Sequence, residues 1–199
     1  MGRNSPPLTL HEANVGLRRL AAIQAKSLSV VAQTDSFLFK EESRLDDKQF
    51  LETWDIHNRI NLYLLDAIEP ASLRNLSASK GRNAGEQFAH IHNVRLMWLK
   101  AAAPELLKGL TKLEKESALD KKQLRKSLSD SSVAIRSLLQ QSLAQGGKVK
   151  GFKPHAAAFL GYLISHESHH RGQIALALKQ SGTTLDKKIQ YGIWEWGVR

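Results

Sequence analysis

His166-Glu167-Ser168-His169-His170-Arg171-Gly172-Gln173 lies in the last third of the chain, inside an otherwise apolar pattern. The pattern runs from Pro154, suited to the first turn of a helix, to about Gln180, with Gly182 placed to end it. His166 and His170 are four residues apart and therefore stand one turn apart on one face. That spacing lets two imidazoles converge on one metal ion at about 2.0–2.1 Å each. At about 100° per residue, Phe159, Leu163, His166, His170, Gln173 and Ala177 share a band roughly 80° wide, the face expected to meet a bundle interior. His169 projects about 100° from His170 and is a poor third ligand. The alternative is a pair of core histidines, each satisfied by a hydrogen-bond partner. The motif is not His-Glu-x-x-His, so zincin-type chemistry does not apply.

Three further helical patterns precede this one. Trp54, Asn58, Asn61, Leu65 and Ile68 fall on one face of a segment that begins near Lys48 and is blocked at Pro70. A turn cluster of Ser, Lys, Gly and Asn over 77–85 separates it from a second helix over 84–103, stopped by Pro104. A third covers 120–144, with Val133, Ile135, Leu138, Leu139 and Leu143 as its apolar residues. No stretch alternates like a strand, and no internal repeat is evident. The pattern predicts an all-α four-helix bundle over residues 46–199, preceded by an N-terminal extension over 1–45. Within that extension, residues 10–31 read as a short amphipathic accessory helix or a frayed segment, with only a faint likeness to a targeting sequence. Residues 36–47 read as a charged linker.

The 199 residues include no cysteine, which excludes disulfides and thiolate ligands and fits a reducing, cytoplasmic setting. Any metal site must be built from His, Asp or Glu. The net charge of +10 could attract nucleic acid, anionic lipid or anionic substrates. The basic residues are scattered, however. The densest part, residues 100–126, interleaves lysines with Glu105, Glu114, Glu116 and Asp120 and holds no aromatics for base stacking. It reads as a solvated connector, with a functional anion surface as the alternative. Specific nucleic-acid binding is not expected, and no apolar run approaches the ~20 residues of a membrane span.

A third ligand is sought on the second helix. His90, Val94, Met97 and Ala101 share a face there, while His92 projects about 200° away, exposed or at an edge. His90 alone would read as a core residue; a facing His pair makes it the inward candidate, since bundles build metal centres between facing helices. Glu86, one turn before His90, could orient a ligand or act as general base, or be a plain first-turn carboxylate. Asn61 could bond a metal-bound water or substrate, or be an amide satisfied in the core. His57 lies near the edge of the first helix's stripe, and His11 and His155 carry no chemistry.

Ala84-Gly85-Glu86-Gln87-Phe88-Ala89-His90-Ile91 on the second helix and His166 to Ile174 on the fourth together resemble the DinB/YfiT-like superfamily of four-helix bundles. The aromatic tail from Tyr191 to Trp196 is similar to the end of such a domain. The resemblance covers roughly residue 46 onward and implies a divalent metal, commonly zinc or nickel, held by His90, His166 and His170. It also implies a homodimer and a metal-dependent enzyme, with a small-molecule substrate. One route is transfer of a low-molecular-weight thiol, such as bacillithiol, mycothiol or glutathione, to an electrophile; the other is hydrolysis. A non-catalytic dimeric bundle with a structural or vestigial metal site is the alternative. A structural zinc normally fills all four positions with protein ligands, and three are found here.

Overall fold

The computed structural model describes residues 47–199; the extension, His11 and all of the expected linker except Asp47, which instead begins the first helix, lie outside the described residues. Four long helices follow one another: α1 over residues 47–66, α2 at Ala84–Ala102, α3 at Lys121–Ala144 and α4 at Ala156–Gln180. A short α5, Lys187–Gly192, follows, and 3-10 turns occupy Pro70–Arg74, Pro104–Leu107, Ser117–Leu119 and Trp196–Val198. The described residues contain no strand, only an isolated bridge between Val149 and Phe152. The all-α bundle expected from the sequence is the observed architecture.

Local chemistry sets each helix start. Asn83 and Glu86 form a reciprocal capping box at α2: Asn83 Oδ1 accepts from the Glu86 amide at 2.8 Å, and Glu86 Oε2 accepts from the Asn83 amide at 2.9 Å. Asp120 caps α3 through the Gln123 amide. The fourth helix begins later than Pro154 suggested. His155 is its cap, with Nδ1 accepting from the Ala158 amide at 3.2 Å, and Pro154 lies outside the helix.

The core is two apolar clusters with a polar layer between them. One holds Leu64, Leu65 and Ile68 of α1, Phe88 and Ile91 of α2, Leu124 and Leu128 of α3, and Ile174 and Leu178 of α4. The other holds Leu51 and Trp54, then Leu99, then Ile135, Leu138 and Leu139, then Phe159, Leu160 and Leu163. Each large apolar side chain buried this way contributes about 1.5–3 kcal/mol. Every long helix inserts polar residues between its two apolar stretches: His57, Asn58 and Asn61 on α1, Arg95 on α2, Ser131 on α3, and Glu167 on α4, all buried.

This arrangement corrects the expected faces. On α4 the buried positions include Ala156, Leu160, Leu163, Glu167, His170, Ile174 and Ala177, a four-three alternation centred on Glu167, with Phe159, Arg171 and Leu178 buried beside it. His170 is buried, whereas His166 is only half-buried at the edge of the stripe. On α2 the inward stripe is Phe88, Ile91, His92, Arg95 and Leu99. Met97 is 52% exposed and His92 only 1%, the reverse of the expectation. Val133, one of the apolar residues of α3, is exposed.

Candidate metal centre

His90, His166 and His170 come together between α2 and α4. Each offers a ring nitrogen, and these nitrogens lie within 4.8 Å of one another. Ring centroids are 4.5 Å apart for His166–His170, 4.6 Å for His90–His170 and 5.3 Å for His90–His166. Two of the three come from one turn of α4, and the capping box sets where His90 falls on α2.

The tautomer of His170 follows from its partner. Gln87 Oε1 lies 2.7 Å from His170 Nδ1. An amide oxygen only accepts, so Nδ1 carries the hydrogen and Nε2 presents a lone pair. That Nε2 stands 3.1 Å from Nε2 of His166. Two imidazole nitrogens so close must share a proton or a cation. At metal–nitrogen distances of about 2.0–2.1 Å, two ligands of a tetrahedral ion sit ~3.3 Å apart, so the pair fits a divalent metal. His166 Nδ1 is buried without a hydrogen-bond partner among the described residues, so its ring lacks the brace that Gln87 gives His170.

Protonation also favours ligation. Burial and the nearby charges of Arg82 and His166 lower the His90 pKa to about 4. Burial, with His166, His90 and His169 alongside, lowers His170 to about 4 as well. His166 is lowered too, chiefly by burial, against the opposing pull of Glu167. All three rings are neutral at pH 7 and have lone pairs to offer. Among the described residues no fourth carboxylate or imidazole joins the group.

The other candidates lie elsewhere. Glu86 lines a cavity of about 600 Å³ with His90, but its Oε2 is engaged in the α2 cap. Asn61 lies in the buried polar layer, where Nδ2 donates to Glu167 Oε2 at 2.6 Å and Oδ1 accepts from Arg171 at 2.6 Å. Of its two readings, the amide satisfied in the core describes it. His92 is clamped between the Thr111 and Ser127 carbonyls, 2.9 Å from each. His169 is exposed and bonds Gln173.

Behind the histidines the polar layer closes on itself. Arg95 donates through Nε to Glu167 Oε1 and through NH2 to Oε2, both at 2.7 Å. Its NH1 reaches Asn58 Oδ1 at 3.0 Å and the Leu128 carbonyl at 2.8 Å. Arg171 approaches His57 Nδ1 at 3.4 Å, so that nitrogen accepts and His57 Nε2 donates to Glu167 at 2.8 Å. Burial alone would raise the Glu167 pKa; the Arg95 charge and hydrogen bonds, with His57, overcome it and hold the carboxyl below the ordinary carboxylate range. His57 is lowered, mainly by burial, and stays neutral. Gln87, Arg95, Glu167 and Arg171 were not singled out from sequence for these roles. The four-three alternation through Glu167 was the available signal, with a charge of opposite sign on the corresponding stripe of α2.

The DinB family model matches residues 40–188 of the chain. No curated protein matches it. Among solved structures, the crystal structure of a DinB-like protein from Bacillus cereus ATCC 10987 at 2.01 Å resolution aligns with a TM-score of 0.53 and 22% identity. That alignment covers 70% of this chain and 95% of the other, and at this identity it speaks to the fold alone.

Proposed function

The chain belongs to the DinB family, and from that footing we propose that it is a metal-dependent enzyme whose His90, His166 and His170 hold a divalent cation, zinc or nickel. One observation carries the reading: three neutral imidazoles converge without a fourth protein ligand among the described residues, the donor set of an open rather than a closed site. Three neutral ligands leave the ion its full charge, and it would draw the pKa of a water or a thiol toward neutrality. The substrate is a small molecule. Reaction with a low-molecular-weight thiol is S-transfer to an electrophile, and reaction with water is hydrolysis.

The protein's own groups have definite tasks in this reading. Gln87 holds His170 in the tautomer that presents Nε2. Glu86 is the carboxylate nearest in sequence to His90 along the cavity wall; its Oε1 has no hydrogen-bond partner among the described residues and is the atom to accept a proton from a nucleophile. The absence of cysteine rules out a protein thiol as the nucleophile, which is consistent with an external one. Residues 1–45 form an extension to a domain beginning near residue 46, in a protein of the cytoplasm. Pairing of two such bundles gives a homodimer, which light scattering tests: a stable 22.2 kDa monomer at micromolar concentration contradicts it.

The deciding experiment is metal analysis after dialysis against zinc or nickel, followed by assay of a thiol with 1-chloro-2,4-dinitrobenzene. About one ion per chain is expected, with a sharp loss on replacing any of the three histidines by Ala. A fully loaded His166→Ala protein refutes the ligand set. A loaded wild type without turnover on thiol or ester substrates favours the structural-metal alternative.

A further inference from the structure

The connector between α2 and α3, charged and solvated by its sequence, is fastened to α2 at three points. Asn93 makes a two-way pair with the Leu113 backbone: Nδ2 donates to its carbonyl and Oδ1 accepts from its amide, both at 2.9 Å. His92 reaches the Thr111 carbonyl. Gly85 lies so close to the Ala118 carbonyl that a Cβ there would collide with it. These fastenings hold the connector off the α2 surface as the second wall of the cavity of about 600 Å³, whose α2 wall includes His90. That volume suits a small molecule.

The charges on the cavity wall are unequal in their engagements. Glu86 accepts from the α2 cap, and Glu114 pairs with Lys112 at 3.0 Å. Arg82 and Lys115 make no ion pair among the described residues. Arg82 also borders a second cavity of about 250 Å³ lined by Lys80, Gln87 and Gln173, so it stands on the ridge between the two. Its charge is felt at both His90 and His166. A planar, permanently charged guanidinium and an ammonium lining one cavity are suited to a carboxylate or phosphate.

We infer that the cavity between α2 and the 103–120 connector binds the anionic group of a small-molecule substrate, a carboxylate or a phosphate, through Arg82 and Lys115, with the rest of the molecule extending to His90. The part played by His90 rests on the metal-site reading; the anion site rests on the cavity and its two cations. The substrate is therefore an acid, and a neutral analogue of the same shape is discriminated against.

The test uses the full-length, 15N-labelled protein, with and without zinc, titrated at constant ionic strength with succinate, inorganic phosphate and the neutral isostere succinamide. Saturable shifts are expected for the backbone amides of residues 81–82 and 112–118 with succinate or phosphate, and none with succinamide. Arg82→Gln is expected to weaken binding about tenfold or more, the usual scale for a charge-assisted hydrogen bond. Lys115→Gln should weaken it several-fold and Lys122→Gln should leave it unchanged. Identical titrations for wild type and Arg82→Gln, or equal binding of succinamide, overturn the inference. Zinc content is measured on the same samples. Full zinc with non-saturating shifts removes the anion site alone, whereas saturable binding in a protein that takes up no zinc removes the metal reading and leaves the anion site standing.

Discussion

Glu167→Gln is a nearly isosteric change at the centre of the buried layer, and its cost can be worked from the hydrogen bonds. Oε1 accepts from Arg95 Nε, and Oε2 accepts from Arg95 NH2, His57 Nε2 and Asn61 Nδ2. Glutamine has one acceptor oxygen. Placed at the Oε2 position it keeps three of the four bonds, but its NH2 then faces the Arg95 Nε–H, donor against donor. The Arg95 charge, fully buried, also loses its counter-ion. Breaking a buried pair from one side costs about 3–5 kcal/mol. For a domain of this size that is a fall of roughly 6–20 °C in Tm. The assay is thermal and urea unfolding followed by circular dichroism at pH 7. A variant within about 1 kcal/mol of wild type would refute the argument that this layer is a tightly coupled ion pair. Replacing both partners, Arg95→Met with Glu167→Met, is expected to recover only part of the loss, because the buried Arg171 charge and the His57 and Asn61 donors still lose the Glu167 carboxylate. The pH dependence has a definite sign. The Arg95 charge and hydrogen bonds hold the folded-state pKa of Glu167 below the ordinary carboxylate value, so its contribution is complete above that ordinary value and is lost as pH falls below it. Wild-type stability should therefore decline on acidification below about pH 4.5, and Glu167→Gln should show a shallower decline over the same range.

Gln87→Ala removes the brace on His170 Nδ1 and should lower zinc affinity about 10–100-fold, read by competition with a chromogenic chelator; unchanged affinity means the ring is held by other contacts. His92→Ala should keep full metal content yet lose stability, since it removes the bridge from α2 to the Thr111 and Ser127 carbonyls; metal loss without destabilisation contradicts that separation of roles. Gly85→Ala drives a methyl into the Ala118 carbonyl and should destabilise by about 1–3 kcal/mol in urea melts, and a neutral result means the 3-10 turn at Ser117–Leu119 yields freely.

What could be read from the chain alone is what local geometry determines. The His166–His170 pair is a property of one helical turn, whatever surrounds it. Helix ends followed from Pro70, Pro104 and Asp120 because caps and breakers act on their immediate neighbours. The family resemblance and the helical periodicity converge on His90, although the periodicity sets it on the wrong stripe: His90 is half-buried at the rim while Phe88, Ile91, His92, Arg95 and Leu99 face inward. The error has a physical cause. A hydrophobicity pattern treats Arg95 and Glu167 as surface residues, yet both are buried because each neutralises the other, 72 positions away. Neither sequence neighbourhood contains that fact. Only the packing of α2 against α4 brings the two charges together, and their pairing fixes which faces turn inward and leaves His90 and His166 at the edge of the core, next to the buried His170, with His90 on a cavity wall.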